Sequence, residues 1–156
     1  MRRALLVSVA LALICVPAAH AWSWPTGGPH SILRGFSYDP ADPFDPGAHR
    51  GIDLAGPLGA PVFAPAPGTV TYAGTRAVGG KTVTIRTPDG YTATLQHLGS
   101  ISVKRGSVVL ENQIAGSVGF SGVSEYDEPY VFFSVRETAD SYGYIDPLEL
   151  LRIEYP

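Results

Sequence analysis

Lys81-Thr82-Val83-Thr84-Ile85-Arg86-Thr87-Pro88-Asp89-Gly90-Tyr91-Thr92-Ala93-Thr94-Leu95-Gln96-His97 is the stretch that decides the fold. Val83 and Ile85 alternate with threonines, the period-two pattern of a half-buried strand. Pro88-Asp89-Gly90 is a turn tripeptide. Beyond it Tyr91, Ala93, Leu95 and His97 share one parity, so a second strand returns with those four residues on one face. Three of them suit a core, and His97 is expected to point the same way. Working outward, residues 61–65 and 69–73 read as strands around the turn Ala66-Pro67-Gly68. Residues 101–109, split by Arg105-Gly106, and residues 114–118 are expected to continue the same sheet. A Gly/Ser-rich loop, 119–124, and an acidic stretch lead to a strand over 130–135. Asp146 as N-cap with Pro147 after it predicts one helical turn over 147–151. The fold class is all-β, a mostly antiparallel sheet or sandwich.

A chain of 156 residues has room for one domain. With 45% apolar and only 16% charged residues, it can pack a core and is not a charge-rich disordered polymer. The net charge is −3 and no basic stripe stands out, which argues against nucleic acid as a partner. Arg2 and Arg3 precede an apolar run at 4–16, and Ala19-His20-Ala21 offers a small-x-small cleavage pattern before Trp22. Residues 1–21 therefore read as a signal peptide, which places the mature chain outside the cytoplasm in the cell envelope. Thirteen residues at ~1.5 Å each fall short of a ~30 Å hydrocarbon core, so no stable membrane span is expected. The single cysteine, Cys15, lies inside that run, and Leu13-Ile14 before it argue against acylation. The mature chain then has neither disulfide nor thiolate. Its first part, 22–46, reads as an irregular Pro/Gly-rich arm. Asp39, Asp42 and Asp45 each precede a proline there, a three-residue repeat that a polyproline II stretch would line up on one side. Solvated charges on a stiff loop are the preferred reading over an acidic rim. Trp22 and Trp24 are expected in core packing rather than as a sugar-stacking platform, and His30 in solvent.

His49-Arg50-Gly51-Ile52-Asp53 carries the chemistry. A histidine and a carboxylate four apart can share one metal only if the backbone turns, because a straight strand would separate them by ~13 Å. Gly51, tolerant of positive φ, permits that bend; a surface ion pair is the alternative. The string from His49 through Leu54-Ala55-Gly56-Pro57-Leu58-Gly59-Ala60-Pro61-Val62 resembles the core motif of the lysostaphin/LytM-type peptidases, zinc endopeptidases that cut peptide cross-links in bacterial peptidoglycan. Gly68-Thr69-Val70, Gly90-Tyr91, Gln96-His97-Leu98, Val103-Lys104-Arg105-Gly106, Gly116-Ser117-Val118-Gly119 and Asp146-Pro147-Leu148 extend the resemblance in order, which assigns 47–156 to such a domain.

The resemblance implies that His49 and Asp53 hold zinc, and that His97 serves catalysis at the end of its strand. It also implies a late Pro-His-x-His string, whose first histidine is catalytic and whose second is the third ligand. Here that string is Pro129-Tyr130-Val131-Phe132. Phe132 has no lone pair to offer, and Tyr130, with a phenol pKa near ~10, can donate a hydrogen bond but is a poor base at neutral pH. Glu128 shares the parity of Phe132 but lies ~13 Å away along a strand, and Ser134 is ~6.6 Å away with a hydroxyl that ligates zinc poorly. Glu125 and Asp127 sit in the preceding loop. Losing one ligand costs about 3 kcal/mol, roughly 100-fold in metal affinity, so Zn2+ is expected to be weakly held or absent. The resulting expectation is a catalytically impaired domain that binds peptidoglycan or a cell-wall hydrolase and acts in cell-wall binding or hydrolase regulation, as the resemblance implies through some catalytically dead relatives that activate other cell-wall hydrolases. The alternative is an active zinc endopeptidase with Glu125, Asp127 or Glu128 as its third ligand. A biotinyl or lipoyl carrier, suggested by Ala64-Pro65-Ala66-Pro67-Gly68, is set aside: it needs a lysine at a hairpin tip, beside methionine in the biotinyl case, and only Lys81, Lys104 and Met1 are available.

Overall fold

The computed structural model describes residues 21–152; the predicted signal segment lies outside the described residues but for Ala21. The hairpin read from the alternating stretch is formed by β5 (Gly80–Arg86) and β6 (Tyr91–Leu98), with Thr84 opposite Thr94, Ile85 opposite Ala93 and Arg86 opposite Thr92. Val83, Ile85, Ala93 and Leu95 are buried on one face, while Thr84 and Thr94 stay partly exposed on the other. Each large apolar side chain on the inner face contributes about 1.5–3 kcal/mol by leaving water, which fixes the register against a one-residue slip.

This hairpin sits inside an eight-stranded antiparallel sheet. The other members are β1 (Ser31–Arg34), β2 (Ile52–Ala55), β4 (Gly68–Arg76), β8 (Val108–Val109), β10 (Tyr130–Glu137) and β11 (Tyr144–Ile145). Their spatial order is β1-β2-β10-β6-β5-β4-β8, with β11 continuing beside β10. A second sheet of three strands, β3 (Pro61–Phe63), β9 (Ile114–Ser117) and β7 (Ser100–Ile101), contributes Val62 and Ala115 to the same core as Phe133, Val131 and Leu95. Among the described residues no helix is long and apolar enough to cross a membrane.

Four expectations need correction. Residues 101–109 and 114–118 do not continue one sheet: Gly106, in the left-handed region at φ 88°, turns the chain, so β8 joins β4 while β7 and β9 pair in the second sheet. The arm is not wholly irregular, since β1 pairs with β2 and Trp22, Thr26 and Ser37 make isolated bridges to Leu151, Val62 and His49. The Asp-Pro repeat forms local turns rather than a polyproline stretch. Asp39 and Asp45 accept hydrogen bonds from the backbone N–H two residues on, at 2.8 Å in each case, a geometry both residues favour in turns. Trp22 is buried in the core and Trp24 packs against it. His30 stacks on the Trp24 ring at 4.0 Å between centroids instead of standing in solvent. The closing turn is a short 3-10 helix, Pro147–Glu149, whose cap Asp146 accepts from the Leu148 N–H at 3.0 Å.

Candidate functional site

Strand pairing places three side-chain positions in one row across the sheet: Asp53 on β2 lies opposite Phe132 on β10, and Phe132 opposite Gln96 on β6. Residues in register on antiparallel strands face the same side. This row therefore stands on the face opposite the core, where Ile52, Phe133 and Leu95 form the neighbouring inward row. Position 132 is thus held directly beside Asp53, as a third ligand would have to be, and it carries a benzyl ring.

His49 precedes β2 and is fixed by a bridge to Ser37. Its Nε2 lies 3.0 Å from Asp53 Oδ2, and its Nδ1 donates to the Gly35 carbonyl at 2.9 Å. The bend that brings the pair together does not use positive φ at Gly51, contrary to expectation. Glycine is needed there for clearance instead. A Cβ on Gly51 would stand 2.4 Å from the Phe133 carbonyl oxygen and 2.8 Å from the Phe132 ring. The Phe132 ring meets His49 edge-on, 5.4 Å between centroids.

The structure adds a partner with no motif to announce it. Tyr126, in the loop before β10, donates its hydroxyl to Asp53 Oδ2 at 2.8 Å. Asp53, only 3% exposed, is thereby satisfied from two sides by His49 and Tyr126. Burial acts to lower the His49 pKa, but the hydrogen bond and charge of Asp53, with the Gly35 carbonyl, outweigh it and raise the value above its ordinary 6.5. The Tyr126 phenol is pushed far up by burial and by the same carboxylate.

His97 lies in the cleft, but parity does not put it there. Its backbone is left-handed, φ 63°, and the pairing of β5 with β6 shifts register between Lys81 and Val83. This bulge lets Leu98, rather than His97, follow Leu95 into the core, both at 0% exposure. The His97 Nδ1 donates to the Ser121 carbonyl at 2.9 Å, which fixes its tautomer. Tyr130 packs between His97 and Tyr126, 4.8 Å from each ring centroid, and its phenol is raised chiefly by burial. His49, Asp53, Gln96, His97, Tyr130 and Phe132 line a cleft of about 260 Å³.

The alternative ligands do not complete a metal shell. Glu125 borders the cleft but pairs with Arg34 at 3.2 Å, while Asp127 and Glu128 are exposed. No group of three His, Cys, Asp or Glu side chains capable of holding a metal comes together among the described residues. A catalytic zinc takes three protein ligands and one open position. One imidazole and one carboxylate, with ring carbon in third place, do not fit that requirement.

Comparison with known proteins agrees with the fold. The family model for peptidase family M23 matches residues 47–147. A lipoprotein NlpD/LppB homolog from Pseudomonas aeruginosa is 30% identical over 92% of this chain and 44% of its own length. The murein hydrolase activator NlpD of Salmonella typhimurium is 30% identical over 84% of this chain and 31% of its own. Among solved structures, a point mutant of the catalytic domain of the prophage-encoded M23 protein EnpA from Enterococcus faecalis is 30% identical, with a TM-score of 0.66. The match covers 80% of this chain and 94% of that domain. The chain spans less than half the length of these two curated relatives. M23 peptidases are zinc-dependent as a family, and by sequence model and by fold this chain belongs to peptidase family M23.

Proposed function

We propose that this chain is exported to the cell envelope after cleavage near Ala21, and that its M23 domain, from residue 47 onward, binds peptidoglycan or a cell-wall hydrolase without cutting. The observation that carries this reading is the row Asp53–Phe132–Gln96. It holds the Phe132 ring beside Asp53 and edge-on to His49, while Tyr126 and His49 both engage Asp53 Oδ2, which supports reading Phe132 at the third ligand position. His97 lies in the cleft beside Tyr130, which supports the catalytic positions that the resemblance assigns to them, and among the described residues no third ligand stands by to complete a water-activating metal. A binding or regulatory role is supported by the relatives, one of which is described as a murein hydrolase activator.

The test is incubation of the purified protein with insoluble peptidoglycan. The expected result is sedimentation with the wall material and no release of soluble peptide fragments. Chelator-sensitive release of fragments would overturn the proposal in favour of an active zinc endopeptidase. Protein left wholly in the supernatant would overturn its wall-binding form.

A further inference from the structure

Beyond the Asp53 row, the open face of the large sheet carries two more rows. Thr84, Thr94 and Ser134 stand in register, with Tyr72 of β4 opposite Thr84. One step further, Arg86 and Arg136 flank Thr92. Successive rows on one face are ~6.6 Å apart, so the three span ~13 Å, about four residues of extended chain. Two adjoining hollows of about 370 and 410 Å³ lie over the second and third rows, and share Arg76, Thr84, Thr92 and Arg136. The first also shares Arg50, Gln96 and Phe132 with the His49 cleft, so a single groove runs from that cleft to the arginine row.

The charge of this groove is one-sided. Arg50, Arg76, Arg86, Arg105 and Arg136 border the two hollows, and neither is lined by a carboxylate. Among the described residues, the two other arginines, Arg34 and Arg152, each pair with a glutamate, whereas none of these five does. Arg76 rests over the Tyr72 ring at 4.2 Å, Arg50 donates to Pro43 and Arg136 to three backbone carbonyls. Arg86 and Arg105 are exposed, and their guanidinium groups make no hydrogen bond among the described residues. Concentrating five cations on one face of an acidic chain, without counter-charge, leaves a site for an anion.

We infer that this face binds a short acidic peptide in extended form, its carboxylates at Arg86, Arg105 and Arg136 and its backbone over the hydroxyl row of Thr84, Thr94 and Ser134. Hydroxyls both donate and accept, which suits alternating peptide N–H and C=O groups. Guanidinium forks match carboxylates. A continuous polyanion such as polyphosphate fits less well, because Asp45, Asp53 and Glu125 line the far end of the groove and repel it. The inference is independent of whether the His49 cleft takes a metal.

The test is titration of the purified protein with the blocked peptide Ala-Glu-Ala-Glu, with Ala-Gln-Ala-Gln and with polyphosphate, followed by NMR shifts. The acidic peptide should perturb Thr84, Thr94 and Arg86 and bind at least tenfold tighter than the neutral one. Arg86→Gln with Arg105→Gln should together lose about a hundredfold, since charge-assisted contacts are worth about a decade each. Both side chains are exposed and unbonded, so unchanged circular dichroism and melting should accompany the loss. Equal binding of the two peptides, absence of binding to either, or binding of polyphosphate alone would overturn the inference.

Discussion

Gly51 shows how one residue holds the site. Its hydrogen is all that fits between the Phe133 carbonyl and the Phe132 ring. Gly51→Ala should destabilise the protein by about 2 kcal/mol through overpacking, read as a lower midpoint in urea unfolding. An unchanged midpoint would show that β10 can shift away at no cost. The same scale marks the limit of reading residues from sequence. The H-x-x-x-D spacing allows His49 to meet Asp53 but does not by itself require it, and positive φ is the wrong reason for the glycine. Tyr126 was invisible as a partner of Asp53, because a loop tyrosine 73 residues away carries no local pattern.

At the level of strands, alternation was the strongest signal. Val83 and Ile85 against threonines located β5, and Tyr91, Ala93 and Leu95 located β6, since period two in burial is the direct consequence of a pleated strand over a core. The His97 bulge escaped the same rule, because one extra residue reverses parity beyond it and leaves no mark in composition. β1 escaped too: Ser31–Arg34 is short, partly exposed, and becomes a strand only because β2 offers it an edge. The inward face of β10 is the structural centre, pairing with both β2 and β6, with Phe133 at 0% exposure between them. Phe133→Ala should cost about 3–5 kcal/mol by cavity formation. It should lower the melting temperature far more than Val108→Ala on the exposed face of β8, and comparable losses for the two would contradict the placement of the core.

Over the whole molecule, the two sheets and their shared core supply a scaffold on which ligand chemistry and fold separate. The frame rests largely on backbone features, such as turns, the close approach at Gly51 and the row alignment of β2, β10 and β6. Tyr130 and Phe132, the positions we propose as substituted, are side chains on β10 in regular register with β2 and β6. The fold was therefore legible from the sequence. The continuous groove with its arginine row was not, because its residues come from strands far apart in the chain and meet only through register.

The most direct measurement is the zinc content per chain of the purified protein, beside that of Tyr130→His with Phe132→His. With ring carbon beside Asp53, the unaltered protein should hold well below one zinc per chain and the double variant should approach one. A full zinc per unaltered chain, lost on Glu125→Gln, would contradict the account and make Glu125 the third ligand.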